Sequence, residues 1–293
     1  MATTRTGSYP IGFRRGWGDW QKDVSELTAF ALDAGFEFVD VAAISADDIK
    51  AIQATGIGIG SVDIHWNGML SPDKAKRKDA AAKNVAYINE IASLGPRAFF
   101  TILMPEDVSK SRRDNFAYAA ESYAAVAEGI AKSGARIAIE GWPGGGPHVA
   151  NQCCTPETYR AMLKEVANPA LGINFDPSHL IRMGIDSVRF AREFVEHFVH
   201  VHAKDTLIND EALYEFGHLQ GATFAENPVC GEQVWRYTVP GHGVARWGDL
   251  FAILVEAKYQ GLVSIELEDA DFLGSDEKEQ RGLIASRDFL IHA

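Results

Sequence analysis

The sequence predicts an α/β protein folded as a single (β/α)₈ TIM barrel over residues 1–293, with an extended loop after the seventh strand. Three observations carry this. Eight short β-rich runs alternate with longer helical runs along the chain. Several of those runs are almost wholly apolar, as parallel strands covered on both faces must be. No Gly-x-Gly-x-x-Gly follows the first run, which leaves a dinucleotide-binding doubly wound sheet little support.

The strands are expected near Pro10–Phe13, Glu37–Val41, Ile57–Ile64 and Ala98–Leu103, then near Arg136–Glu140, Leu171–Asp176, Phe198–Lys204 and Val263–Glu268. Between them, Asp23–Ala34 places Val24, Leu27, Phe30, Ala31 and Ala34 close to helical spacing. Asp73–Leu94, Arg113–Lys132, Pro156–Val166, Ser187–Glu196 and Trp247–Lys258 read as helices for the same reason. Gly35, Gly134 and Gly261 stand just past three of these runs, where a helix commonly ends in a left-handed residue. No Pro/Ser-rich linker divides the chain. One stretch, Thr206–Pro240, is long, irregular, Gly-containing and aromatic, and loops of that length usually carry function. Two roles stand open for it: a lid, or a contact between copies in a homo-oligomer.

The composition is that of a globular protein, with 46% hydrophobic and 23% charged residues and a mean hydropathy of -0.11. The net charge of -12 weighs against a general phosphate-backbone binder, so no nucleic-acid partner is expected. The N-terminus MATTRTGSYP lacks the apolar core of a secretory signal, and no stretch approaches a membrane span. The three cysteines, two of them the adjacent Cys153 and Cys154, do not make a disulfide framework. A reduced, cytoplasmic protein is expected.

In a (β/α)₈ barrel the reactive groups stand where strands end. The last four strands each finish on a metal-ligand residue type: Glu140 in RIAIEGWPG, Asp176 in GINFDPSHL, His202 in VHVHAKD and Glu266 in VSIELED. Three carboxylates and an imidazole suit one divalent cation, with Mn²⁺ first and Mg²⁺, Co²⁺ or Zn²⁺ as alternatives. Each residue alone is explained as well by solvation or core hydrogen bonding; it is the succession that argues for a metal.

His200 and His202 point to the same side of their strand, and the residue nearer the end is the one expected to reach the site. Glu268 shares a face with Glu266 and competes with it; Glu266 is preferred. Substrate contacts are expected from His179, His65, Trp142, Lys204 and Arg236, although a solvated lysine, a packed tryptophan or a structural ion pair would explain them too. Gly144–Gly145–Gly146 lacks a following Gly-Lys-Ser/Thr and reads as a flexible loop. Cys153 and Cys154 lack an evident histidine partner for thiol chemistry.

With these residues in view, the sequence resembles the xylose-isomerase-like (β/α)₈ superfamily of sugar phosphate isomerases and epimerases, which includes ketose 3-epimerases, inosose dehydratases and endonuclease IV. The segments that carry the resemblance are the opening IGF, GFEFVDV, FDPSH, HVHAKD, the PGHG turn and YQGLVSIELED. The resemblance implies Glu140, Asp176, His202 and Glu266 as metal ligands, His179 as a substrate or metal neighbour, and Glu140 and Glu266 as proton carriers on opposite faces of the substrate. One departure matters: the fourth strand, AFFTILMP, has no histidine where the nuclease-like members supply a further zinc ligand.

The expected chemistry follows from the cation. Polarising a carbonyl and its adjacent hydroxyl stabilises an enediolate, and a carboxylate takes the α-proton. Returning the proton to the opposite face epimerises, returning it to the next carbon isomerises, and losing a β-hydroxyl dehydrates. The expectation is a metal-dependent isomerase or epimerase of a small sugar or keto-sugar. A lyase or dehydratase acting on a keto-sugar or keto-inositol is the alternative, and a non-catalytic sugar-binding barrel the second.

Overall fold

The computed structural model describes residues 1–145 and 151–293; of the glycine run, Gly146 lies outside them. Eight parallel strands close into a barrel: β1 (Ile11–Arg14), β2 (Phe38–Val41), β3 (Gly58–Asp63), β4 (Ala98–Ile102), β5 (Arg136–Glu140), β6 (Leu171–Phe175), β7 (Phe198–Ala203) and β10 (Val263–Ile265). Each pairs with its sequence neighbours in the barrel, and β10 closes the ring on β1 with Ile11 opposite Val263. The outer strand faces bury Val39, Phe99, Ile137 and Ile173 against helix residues such as Leu27, Ile52, Ile88 and Val126. The inner face is different: Asp40, Ser61, Asn174, His200, His202 and Ser264 fill it, all buried. A packed inner layer of this kind makes the barrel a core rather than a pore. Gly60 is required there, since a Cβ at that position would stand 2.3 Å from both Asp40 Oδ1 and the Phe38 ring.

The expected helices are present, with Lys74–Ala92 and Arg112–Ile130 the longest of them. Further helices form at Asp19–Lys22, Ala46–Ala54, Pro177–Arg182, Asp210–Phe216 and Asp276–His292, where none was expected. Gly35 and Gly134 do adopt positive φ, but after Trp247–Glu256 the left-handed residue is Lys258 rather than Gly261. Among the described residues no helix is long and apolar enough to cross a membrane.

The stretch Thr206–Pro240 is not irregular throughout. Its ends form an antiparallel ribbon of β8 (Asp205–Ile208) and β9 (Trp235–Thr238), with Asp205 opposite Thr238 and Ile208 opposite Trp235. Four-residue strands are too short to give a period-two signal in the sequence, and the polar residues between them masked the pairing. Asp205 gathers the neck of this insertion, accepting from the backbone N–H of Thr206 (2.8 Å), Gly241 (3.1 Å) and Ala245 (2.8 Å) and from Trp247 Nε1 (3.2 Å).

Candidate active site at the barrel mouth

Strand register brings the site together. Glu140, last in β5, lies opposite Asn174 of β6, and Asn174 lies opposite His200 of β7. Asn174 Nδ2 accordingly donates to Glu140 Oε1 at 2.7 Å. Asp176 follows β6 by one residue and starts the helix Pro177–Arg182: its Oδ1 accepts from Ser178 N–H at 2.8 Å as the N-cap, with Pro177 in the first turn. That division of labour leaves Oδ2 facing the barrel. The helix then turns His179 back over the same opening.

One ligand atom from each of Glu140, Asp176, His179 and Glu266 lies within 4.8 Å of the others. His202 stands on the flank of this group, with Nδ1 2.7 Å from Glu140 Oε1 and 3.5 Å from Glu266 Oε2. Its other nitrogen looks down to Asp40 Oδ2 at 3.5 Å, within a second cluster of Asp40, His200 and His202. Of the four residues expected to share a cation, three therefore gather tightly, and the fourth joins from below through Glu140 and Glu266. Glu266 is the inner carboxylate, while the side chain of Glu268 is 42% exposed at the rim.

Lys204 is fully buried and reaches Glu266 Oε2, Glu268 Oε2 (3.0 Å) and Asp176 Oδ2 (3.3 Å). Burial disfavours every charge here, so the partners decide each group's state. Burial and the charge of Glu266 push Glu140 up, but the imidazoles of His202 and His179 prevail and hold it below the ordinary carboxylate range. Burial likewise opposes the ionisation of Glu266, yet Lys204 and then His202 hold it well below. Asp176 is raised by burial despite Lys204. Burial would lower His202, but Glu266 and Glu140 raise it well above the ordinary imidazole value.

A cavity of about 560 Å³ opens over this cluster, walled by Glu140, His179, Lys204, Glu266, Trp142 and Trp17 among others. It is of a size suited to a small ligand. Three of the expected substrate contacts, His179, Trp142 and Lys204, line it. His65 and Arg236 do not. His65 is exposed and packs its ring 5.0 Å from Tyr87, and Arg236 is drawn outward to Asp271 at 2.6 Å. Cys153 and Cys154 are buried thiols, and burial pushes Cys154 up to about 12, which disfavours the thiolate.

Several residues of the site escaped the sequence reading. Arg14, at the end of β1, binds both oxygens of Asp63 (2.8 and 2.7 Å), lies 3.5 Å from Glu266 and covers the Phe100 ring at 4.4 Å. Asp40 accepts from Ser61 N–H at 2.6 Å and lies 2.8 Å from His200 Nε2. A charged residue inside the apolar run GFEFVDV was the available signal for it.

The residues fit a divalent cation. Asp176 Oδ2 and both nitrogens of His202 are buried without a hydrogen bond, although His202 Nδ1 and Glu140 Oε1 nearly touch. Atoms so close but out of line for hydrogen bonding, in a set of three carboxylates and an imidazole, are disposed as ligands would be.

The profile of the family described as xylose isomerase-like TIM barrel matches residues 28–291. The uncharacterised protein YfiH of Bacillus subtilis is 34% identical over 116 residues, covering 39% of this chain and 36% of the relative. Inosose dehydratase 1 of Bacillus cereus is 32% identical over 110 residues, covering 36% of this chain and 34% of the relative. This chain thus spans about a third of the length of the curated relatives it matches. D-psicose 3-epimerase of Clostridium cellulolyticum, solved with D-tagatose, superposes with a TM-score of 0.67 at 17% identity, over 97% of this chain and 100% of that one. At that identity the likeness is one of fold.

Proposed function

The chain belongs to the xylose isomerase-like TIM-barrel family, and from that premise we propose that it is a divalent-metal-dependent isomerase or epimerase of a small sugar or keto-sugar. The observation that carries this reading is the convergence of Glu140, Asp176 and Glu266, with His202 beside them, under a cavity of about 560 Å³. Glu140, Asp176, His202 and Glu266 would hold the cation. When bound, it supplies the positive charge that polarises a carbonyl and its neighbouring hydroxyl, acidifying the hydrogen on the carbon between them.

The remaining work falls to side chains. Glu140 and Glu266 come from β5 and the end of β10, three strands apart in the ring, and in this reading they would stand on the two faces of a sugar carbon. One takes the proton and the other returns it. Trp142 offers an apolar wall for a sugar face, and His179 and Lys204 offer hydrogen bonds to its oxygens. The same residues serve isomerisation when the proton returns to the adjacent carbon.

A dehydratase is the second reading. It is favoured by Lys204, whose ammonium lies on the cavity wall against Glu266, where it would meet a departing hydroxyl. The partial similarity to inosose dehydratase supports it as well.

Incubation of the Mn²⁺-loaded protein with a panel of ketoses, keto-sugars and keto-inositols in D₂O separates the readings. Deuterium at the α-carbon of an isomeric product is the expected result, and a product lighter by one water would replace it with the lyase. Tight Mn²⁺ binding with neither exchange nor product across the panel would reduce the protein to a sugar-binding barrel.

A further inference from the structure

The ribbon β8–β9 brings to the site one side chain not yet used, Tyr237. It is buried, and its Oη lies 2.7 Å from His179 Nδ1. On its other side Arg182 Nη1 donates to the same Oη at 2.7 Å. Arg182 cannot turn away, because its Nη2 donates to Gly144 O at 2.7 Å and its guanidinium rests 3.9 Å over the Trp235 ring. Thr206 Oγ1 donates to Ser178 O at 2.9 Å, tying the ribbon to the helix that carries His179.

Hydrogen counting then fixes the imidazole. A guanidinium only donates, so Tyr237 Oη accepts from Arg182 and must send its own hydrogen elsewhere. Among the described residues, His179 Nδ1 is the one other hydrogen-bond partner of that oxygen. Were Nδ1 to carry a hydrogen, the phenol hydrogen would be buried with no acceptor among the described residues, which costs more than an ordinary hydrogen bond contributes. We propose that Tyr237, backed by Arg182, holds His179 in the tautomer with its hydrogen on Nε2. This makes His179 a fixed hydrogen-bond donor toward the cavity and closes it as a cation ligand.

The consequence is a sorting of two imidazoles that both abut Glu140. His179 presents Nε2–H, 3.3 Å from Glu140 Oε2 and 3.4 Å from Asp176 Oδ2. His202 presents Nδ1 to Glu140 and Glu266 while Nε2 faces Asp40. A shared carboxylate neighbour does not make both rings ligands. Tyr237 and Arg182 are positioning residues, acting through His179. The roles of cation and sugar rest on the function proposed above, but the tautomer does not.

The test is the ¹⁵N–¹H two-bond correlation pattern of the histidine rings in metal-free protein labelled with ¹⁵N-histidine, with His179 assigned by its loss in His179→Gln. The expected pattern places hydrogen on Nε2 in the wild type and shifts toward Nδ1–H, or an average of both, in Tyr237→Phe. Hydrogen on Nδ1 in the wild type overturns the inference without recourse to any variant, as does an unchanged pattern in a folded Tyr237→Phe. Titration with Mn²⁺ alone is the second arm. His179→Gln should bind within about threefold of wild type, the scale of one lost hydrogen bond, whereas His202→Gln should lose about 10- to 100-fold or more. A loss in His179→Gln equal to that in His202→Gln overturns the inference. Should wild type show the Nε2–H pattern yet bind no Mn²⁺, the inference stands and the metal-dependent function falls.

Discussion

Two titratable clusters meet at His202 in this barrel, and they are built on opposite charge ratios. The lower one sets a single carboxylate, Asp40, against two imidazoles, His200 and His202. Asp40 is satisfied there, taking the Ser61 N–H at 2.6 Å and facing His200 Nε2 at 2.8 Å. The upper one sets three carboxylates against one imidazole, His179, and faces a cavity. Similar side chains therefore make two different objects. The lower cluster is closed: Asp40 is held by Ser61 and His200 and stands 3.5 Å behind His202 Nε2. The upper one gathers three carboxylates under the cavity, answered by Lys204 at Asp176 and Glu266, by Arg14 at Glu266 and by His202 at Glu140 and Glu266.

The sharpest break between the two comes from removing charge while keeping shape. Glu140→Gln and Glu266→Gln should each cut turnover by about 10²–10⁴-fold, the scale of a lost proton carrier. Far-UV circular dichroism should remain that of the wild type. Near-normal kcat in either variant would take that residue out of the proton path.

Asp40→Ala should act on folding instead, since it leaves two buried imidazoles without their carboxylate. About 3–5 kcal/mol of stability should be lost in urea titrations. An unchanged midpoint would mean that the lower cluster is not held together as described.

The clusters also meet in pH. His202 in the cation-free protein is raised above the ordinary imidazole value, against the opposing effect of burial, by Glu266 and Glu140, and Asp176 is raised by burial. His202 must shed its proton before it can hold a cation, so Mn²⁺ affinity should rise with pH, by at most about tenfold per unit for that proton. The stabilising contribution of protonated His202 runs the other way: it is complete below the ordinary imidazole pKa and is lost as pH climbs through the raised one. Calorimetry in buffers of different ionisation enthalpy would register the released protons, and a pH-independent affinity would detach His202 from the cation.

The smallest effect is expected outside both clusters. Arg236→Ala breaks a pair with Asp271, whose side chain is 66% exposed, and should cost below about 1 kcal/mol with turnover unchanged. A large fall in kcat would restore Arg236 as a substrate contact.

All eight barrel strands were legible because parallel strands buried on both faces leave apolar runs that polar helices interrupt. Glu140, Asp176 and Glu266 were legible because each closes such a run, and His179 because Asp-Pro-Ser-His sets it three residues beyond Asp176 at the same strand end, although a helix rather than a loop carries it. The helix Asp276–His292 was not, since its sequence DEKEQRGLIASRDFLIH is largely polar and contains Gly282, where a Cβ would meet Phe272 Cβ at 2.8 Å. Ala46–Ala54 did carry a signal, the Ser45–Asp48 capping box. Arg14 and Tyr237 were out of reach for another reason. Arg14 pairs with a distant strand, and Tyr237 stands on a ribbon too short to be read and pairs with a helix far off in sequence; no spacing along one element encodes contacts of that kind.

The single carboxylate of Asp205, which clasps Thr206 at one end of the insertion and Gly241, Ala245 and Trp247 at the other, separates what can vary from what cannot. Beyond that clasp, changes of length are cheap, since doubling a flexible loop adds only about 0.6 kcal/mol of closure entropy. Tyr237 lies a few residues inside the clasp, in register with Thr206, and its N–H donates to Cys230 O at 2.9 Å. The part of the span that carries Tyr214, Leu219 and Phe224 stands in water, whereas Cys230 near its far end reaches back to the cavity wall, so room for change lies in the former.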